Sequence, residues 1–476
     1  MTTTRWNSRT AALVAATIAS LLTAFSGSSV SIALPNIGSA FSMDAILLSW
    51  VATSFLLAAA MFLVPVGRFA DIHGRKKVFT AGTAVFTLAS LLAGLAPSAT
   101  VLIAARILQG MGGSMISGTG VAILTSVFPA QERGRVLGIN VAAVYLGLSL
   151  GPSIGGVLTQ QLGWRSVFLV TVPLGVVVIA FVLWLLDGEW AEARGESFDL
   201  VGSVIYALAL IALMYGFSEL PALQGAILIL CGIVGFGVFG AWELRSQSPV
   251  VDLKLFVNNR AFTFSNLAAL IHYSAVYAVT FLLSLYLQYI KALTPQQAGF
   301  VLIFQPVIQF ISSPAAGKLS DRIEPRILAS LGMTLTATGL FLLIFLGSGT
   351  PLWVIIIVLI LLGTGYGLFS SPNMNAIMSS VERKSYGVAS GMLATMRLIG
   401  QMLSMGIATI LFALYLGRVE ITPDLYPAFL TSAKAAFGIS TVLCVIGIFA
   451  SLARGDIRHG QDSRMRSANE SSTNPS

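Results

Sequence analysis

The stretch GRFADIHGRKK, Gly67 to Lys77, has a counterpart far along the chain in GKLSDRIEPR, Gly317 to Arg326. Each sets an aspartate, Asp71 or Asp321, four residues after a glycine and follows it with arginine or lysine. Glycine permits a tight turn and the close approach of two helices. Aspartate at such a turn can cap the next helix or pair with an arginine. A helix-ending turn with flanking charge would account for one copy. Two copies, after the second and the tenth apolar run, point to a chain built from two related halves.

Around these turns the chain is strongly apolar. Of 476 residues, 56% are hydrophobic and 10% are charged, where a soluble domain carries about 25% charged residues; mean hydropathy is +0.87. Apolar runs near the length of a membrane span recur throughout. We place them at 11–33, 47–67, 78–97, 101–123, 136–158, 166–186, 201–219, 223–243, 262–287, 297–316, 327–347, 352–372, 388–411 and 430–453. The linkers alternate in charge. One side holds Arg5, Arg9, Arg75, Lys76, Lys77, Arg133, Arg135, Lys254, Arg260, Lys318, Arg322, Arg326, Arg383 and Lys384. The other holds Arg165, Lys291, Arg418 and Lys434. By the positive-inside rule both termini are expected in the cytoplasm, as an even number of spans requires. The pI near 9.6 is then topology, and no nucleic-acid partner is expected.

Several function classes drop out. Cys231 and Cys444 lie inside apolar runs, with no metal or disulfide spacing. The first run exceeds the ~15-residue limit of a signal-peptide core. The spans offer no paired carboxylates, metal cluster or nucleophile with base, so an enzyme is disfavoured, and no cofactor or metal is expected. No Gly-x-x-x-x-Gly-Lys-Ser/Thr loop is present, which argues against ATP-driven pumping. The loops 187–200 and 244–261 read as solvated, with Asp187, Glu189, Glu192, Asp199, Asp252 and Lys254. The polar tail from Arg454 reads as disordered.

Further motifs follow in order. RILQGMGG runs from Arg106 to Gly113, and GLSLGPSIGG from Gly147 to Gly156. WVATSFLL begins at Trp50 and GWRSVFLVTVPLG at Gly163. With Gly67, Asp71, Gly74, Arg75 and Lys76, they make the chain resemble the major facilitator superfamily, and within it the fourteen-span drug:proton antiporter family. The resemblance implies an all-α integral membrane protein of fourteen transmembrane helices. Six would form a bundle over 1–186 and six another over 261–453, joined by two linking helices within 187–260, with a disordered tail at 454–476. It further implies a cell-membrane secondary transporter exporting drugs or small aromatic molecules by alternating access, its partners being the lipid bilayer and a small-molecule substrate. An importer of a nutrient such as a vitamin is the alternative. A non-transporting membrane sensor is the alternative of another class, disfavoured because no soluble output domain exists. A monomer is expected.

A charge inside a span is costly and marks function by default. Arg106 shares a helical face with Gly110, Gly113, Ser117 and, more loosely, Gln109; Arg397 shares one with Ser390, Gln401 and Ser404. In the ninth span Asn266, Tyr273, Tyr277, Thr280, Ser284 and Gln288 fall within about a hundred-degree arc and are expected to line a cavity. Gln305, Gln309 and Ser312 repeat the pattern in the tenth, with Pro306 bending it. His272 points away and reads as a satisfied packing histidine. Gly147, Gly151 and Gly155, spaced by four, form a smooth face expected to seal one bundle on the other, with Pro152 bending the span.

The first span ends in TAFSGSSVSIALP, Thr23 to Pro35. The resemblance puts an aspartate at position 26, where this chain has Ser26. A hydroxyl cannot exchange a proton near neutral pH. Proton coupling is therefore expected to be absent, or to run through the groups around Arg106 and Asp71.

Overall fold

The computed structural model describes residues 8–246, 249–250, 256, 259–320, 322–381 and 386–455, with backbone alone at 130, 131, 133, 134 and 387. Asp321, Asp252, Lys254, Arg383, Lys384 and the tail from 456 lie outside the described residues.

Among the described residues the apolar runs become fourteen helices long and apolar enough to cross a membrane. They are α1 (Ser8–Phe41), α2 (Ala45–His73), α3 (Arg75–Gly94), α4 (Ala99–Val127), α5 (Ala130–Leu162), α6 (Ser166–Leu185) and α7 (Leu200–Glu219). The rest are α8 (Leu223–Glu243), α9 (Arg260–Ile290), α10 (Pro295–Ser320), α11 (Pro325–Leu343), α12 (Leu352–Ser379), α13 (Tyr386–Tyr415) and α14 (Tyr426–Ala453). Most outrun the apolar runs because polar caps continue them. Asp44 accepts the Leu47 N–H at 2.7 Å to start α2, and Thr294 and Gln297 close a reciprocal capping box that starts α10. Proline sets the interruptions. α10 breaks at Ile303, beside the Leu302 carbonyl to which Pro306 cannot donate; α6 breaks at Val170, beside the Leu169 carbonyl left by Pro173. α5 runs unbroken through Pro152.

The packing repeats. α1 lies along α5 and α6, α4 along α2 and α3, and α3 along α6; likewise α9 lies along α13 and α14, α12 along α10 and α11, and α11 along α14. The same glycine contacts recur in both halves. A Cβ on Gly112 would come within 2.8 Å of the Gly82 carbonyl, and one on Gly365 within 2.7 Å of the Gly332 carbonyl. These are two six-helix bundles of one design. The linking helices pair with each other, and α7 also lies against α2 of one bundle and α13 of the other. Tyr206 donates to the Ala60 carbonyl at 3.1 Å, Trp50 Nε1 to Ser218 at 2.9 Å, and Arg418 pairs with Glu219 at 2.7 Å.

Three expectations are corrected. The Gly147, Gly151 and Gly155 face does not seal one bundle on the other. It packs α5 on α1 inside the first bundle, where a Cβ on Gly147 would stand 2.5 Å from the Leu21 carbonyl and one on Gly155 2.9 Å from the Ser29 Cβ. The small serines of TAFSGSSVSIALP make this approach possible, Ser28 Oγ lying 3.4 Å from the Gly147 carbonyl. Arg454 is not the start of a free tail. It is 2% exposed and donates to Asn373 Oδ1 at 3.1 Å and Ser265 Oγ at 3.3 Å, clamping α9, α12 and the end of α14. Burial pushes its guanidinium down to about 10, opposed by Glu324. The 187–200 loop does not stand free in solvent; its contacts are described below.

Candidate functional site

The ends of the helices fall into two sets. The basic end carries Gly67–Lys77 and both the first and last described helix ends; the far end carries the turns at 42–44, 163–165 and 291–294. At the far end the bundles are joined. Ala45 N–H donates to the Val419 carbonyl at 3.1 Å, Ser49 and Thr409 hydroxyls lie 3.0 Å apart, and Ser284 donates to the Ser31 carbonyl at 2.7 Å. Gln288 Nε2 reaches the Ile32 carbonyl at 3.0 Å. Pro152 also belongs here, its carbonyl facing Gly299 of α10 so closely that a Cβ there would collide. At the basic end, by contrast, Gly67, Gly138 and Gly391 have nothing within 4 Å of an added Cβ.

The polar stripe of α9 is therefore divided among three tasks. Ser284 and Gln288 belong to the far-end seal. Asn266, fully buried, donates to the Phe262 carbonyl at 2.9 Å within its own helix, and its Oδ1 has no partner among the described residues. Tyr273 and Tyr277 lie between, Tyr277 within electrostatic reach of Arg106 of the other bundle. The Tyr273 ring meets Tyr366 of α12 edge-on at 5.6 Å. Across the bundles, Tyr145 of α5 donates to Ser370 at 3.3 Å. Arg397 and Tyr145 both sit near enough to the Tyr273 and Tyr366 hydroxyls to act on them electrostatically. Gln401, one turn beyond Arg397, is half-buried, while Gln305 and Gln309 are buried on α10, Gln309 Nε2 without a partner among the described residues. His272 stacks on Phe369 at 4.1 Å and meets Tyr366 at 5.2 Å. It is a packing residue, yet neither ring nitrogen has a partner among the described residues.

Arg106 is 1% exposed. Its Nε donates to the Val51 carbonyl at 2.9 Å, its Nη1 to Gln109 Oε1 and, at 3.5 Å, to Ser26 Oγ. Gln109 passes the chain on to Ser90 at 2.7 Å, and the guanidinium lies 4.4 Å from the Phe55 ring centre. Every acceptor given to this cation is neutral. Ser26 thus stands against Arg106 where an acid would have made an ion pair.

The Gly67–Lys77 turn is held by the loop that follows α6. Gly74 has φ 118°, a conformation open to glycine, and the Glu189 side chain fills the space above it. Arg75 donates to Asp71 Oδ1 at 2.8 Å, to Glu192 through two nitrogens at 2.8 and 3.0 Å, and to Ser126 at 2.6 Å. The backbones join too: Arg75 N–H to the Trp190 carbonyl at 2.8 Å, and Ala193 N–H to the Asp71 carbonyl at 3.0 Å. Lys76 Nζ donates to the Leu186 carbonyl, its N–H to Glu189 at 2.8 Å, and Arg68 pairs with Glu196.

Sequence reasoning missed Tyr145, Tyr366 and the acidic loop. Each tyrosine stands beside a glycine-rich helix contact, which is the one local signal they carry. The loop acids carry none until the turn they bind is in place.

The sequence matches the Major Facilitator Superfamily over residues 16–200 and 266–472. It is 32% identical over 393 residues to the multidrug resistance protein Stp of Mycobacterium tuberculosis, covering 81% of this chain and 73% of that one. It is 32% identical to the cephamycin export protein CmcT of Amycolatopsis lactamdurans, covering 84% of each. It is 28% identical to the riboflavin transporter RibZ of Clostridioides difficile, covering 92% of this chain and 96% of that one. A crystal structure of a bacterial homolog to the human lysosomal transporter Spinster, inward-facing and unoccupied, superposes with TM-score 0.65 at 17% identity over 94% of this chain and 97% of that one.

Proposed function

Since the chain belongs to the Major Facilitator Superfamily and is a multi-pass membrane transporter of that family, we propose that it exports small aromatic molecules across the cell membrane by alternating access. The carrying observation is the cluster of Tyr145, Tyr273, Tyr366 and Arg397, drawn from both bundles, with the far end shut by the bonds at Ser31, Ile32 and Ser49. A ligand there touches both halves, so its binding can bias which end is closed. The excess of lysine and arginine at the basic end argues for its lying in the cytoplasm, on the side of the compounds to be exported. The names of two relatives favour export; that of RibZ favours a vitamin. The sensor alternative falls with the family match. Efflux of preloaded aromatic compounds from cells and right-side-out vesicles tests direction, and net uptake into the cell would reverse the assignment.

The turn at Gly67–Lys77 acts as the cytoplasmic gate. The loop acids hold Arg75 while the cytoplasmic end is open, and that end closes only when Arg75 is released. Asp71→Asn keeps an acceptor for Arg75 but removes the charge, a change worth about 1 kcal/mol in a partly exposed pair. Transport is expected to fall severalfold with unchanged expression. Glu192→Gln, which weakens the same hold from the loop side, should shift the rate as well. Unaltered transport in both variants would remove the turn and its loop from the gate.

No aspartate or glutamate of the described residues lies well inside a span, and Ser26 meets Arg106 only at the weak limit of a hydrogen bond. Ser26→Ala is therefore expected to transport normally. Rates should follow an imposed pH gradient only as far as the substrate's own ionisation does. Proton exchange in fixed ratio, lost on Ser26→Ala, would overturn both statements.

A further inference from the structure

We propose that this cluster between the bundles takes a planar organic anion, its negative group on Arg397 and its ring among Tyr145, Tyr273 and Tyr366. The inference rests on the transporter function above and names its substrate class.

Two cations, Arg106 and Arg397, stand well inside the bundles, and no carboxylate of the described residues stands with them. Their surroundings differ. Arg106 is buried and occupied by Val51, Ser26, Gln109 and the Phe55 ring. Arg397 has no hydrogen bond or ion pair among the described residues, and it is half-buried. It lies about 16 Å along α13 from the helix start, at 1.5 Å per residue, too deep for its head to reach water beyond the bundle end with ease. Its helix is pressed on α9 there, a Cβ on Gly400 coming within 2.8 Å of the Tyr273 Cβ. The guanidinium is thereby kept near the Tyr273 and Tyr366 hydroxyls. Its planar fork, without a partner among the described residues, matches a carboxylate with two bonds.

The walls suit the rest of such a molecule. Tyr273 and Tyr366 stand edge to face at 5.6 Å, and Tyr145 reaches in from the other bundle to Ser370. Rings of this kind bind flat aromatic faces while their hydroxyls donate to polar substituents. An organic cation would meet the repulsion of Arg397 with no acid to receive it. The missing acid at position 26 then has a physical sense. A negative-inside membrane potential drives an anion outward by itself, so export needs no proton-carrying carboxylate.

The test uses the full chain in lipid nanodiscs, with scintillation-proximity binding of 2-naphthoate, competed by 2-naphthamide and by a naphthyl trimethylammonium cation. The acid is expected to bind at least tenfold more tightly than the amide, and the cation not at all. Arg397→Gln should keep amide binding, which shows that the variant is folded, and reduce the acid-to-amide ratio to about one; Arg397→Lys should restore part of it. Equal or tighter binding of the amide or the cation by the unaltered chain, or an unchanged ratio in Arg397→Gln, overturns the inference. Counterflow of the same probes in proteoliposomes separates the two levels. Cation counterflow without acid preference refutes the anion and leaves the transporter. Acid binding with no counterflow of any probe upholds the anion site and refutes the transport assignment.

Discussion

Replacing Arg106 with methionine is expected to abolish most transport, by about ten- to a hundredfold, the worth of a hydrogen bond to a charged group, while leaving thermal stability unchanged or raised. The split follows from what surrounds the side chain. A buried ion pair can hold its own against an apolar substitute only when the partner charge is good. Arg106 has no partner charge, only a carbonyl, an amide, a hydroxyl and the Phe55 ring. Its burial therefore costs more than its contacts return, and methionine fills the same space against Phe55 without that cost. A residue kept at such a cost is kept for function. Its place is at the junction of α4 with α1 and α2, with Tyr277 of the other bundle within electrostatic reach. Paired measurements decide the matter: melting of the purified variant by size-exclusion recovery, and initial transport rate in proteoliposomes. A melting point several degrees lower, with transport falling in proportion, would make Arg106 a structural clamp.

Replacing Gly151 with valine is expected to destabilise the first bundle by about 3 kcal/mol, the upper range for overpacking. The added Cβ falls on the Ser28 hydroxyl and within 3.0 Å of the Ser29 amide nitrogen, so α1 must move rather than a flexible side chain. Folded protein should be recovered in much lower yield and melt earlier. Gly138→Ala on the same helix provides the control. Nothing lies within 4 Å of its Cβ, and it should gain up to about 1 kcal/mol in helix propensity. Comparable loss in both variants would show that α5 glycines matter for backbone freedom instead of for the approach of α1.

By itself the sequence determined the fourteen helices, the doubling of the chain and the superfamily. Each of these depends on properties that are local or periodic. A lipid core requires runs of about twenty apolar residues, and a repeated turn such as Gly67–Lys77 is visible without knowing what it touches. Sequence also singled out Arg106 and Arg397, since a charge in an apolar run stands out by composition. The tertiary structure decided partnership. The faces of α5 and α9 were legible as stripes, but a stripe does not say which helix it meets. Gly147, Gly151 and Gly155 meet α1, and the polar line of α9 is cut into a buried amide, a pair of tyrosines and a seal as neighbours change along its length. Glu189 and Glu192 looked like solvated loop acids because their partners, the Lys76 amide and the Arg75 side chain, lie more than a hundred residues before them. Tyr145 and Tyr366 come from different bundles and meet only when both have formed. The difference is one of range: apolar periodicity acts within a turn or two of helix, whereas pairing of charges and rings is fixed by packing between segments distant along the chain.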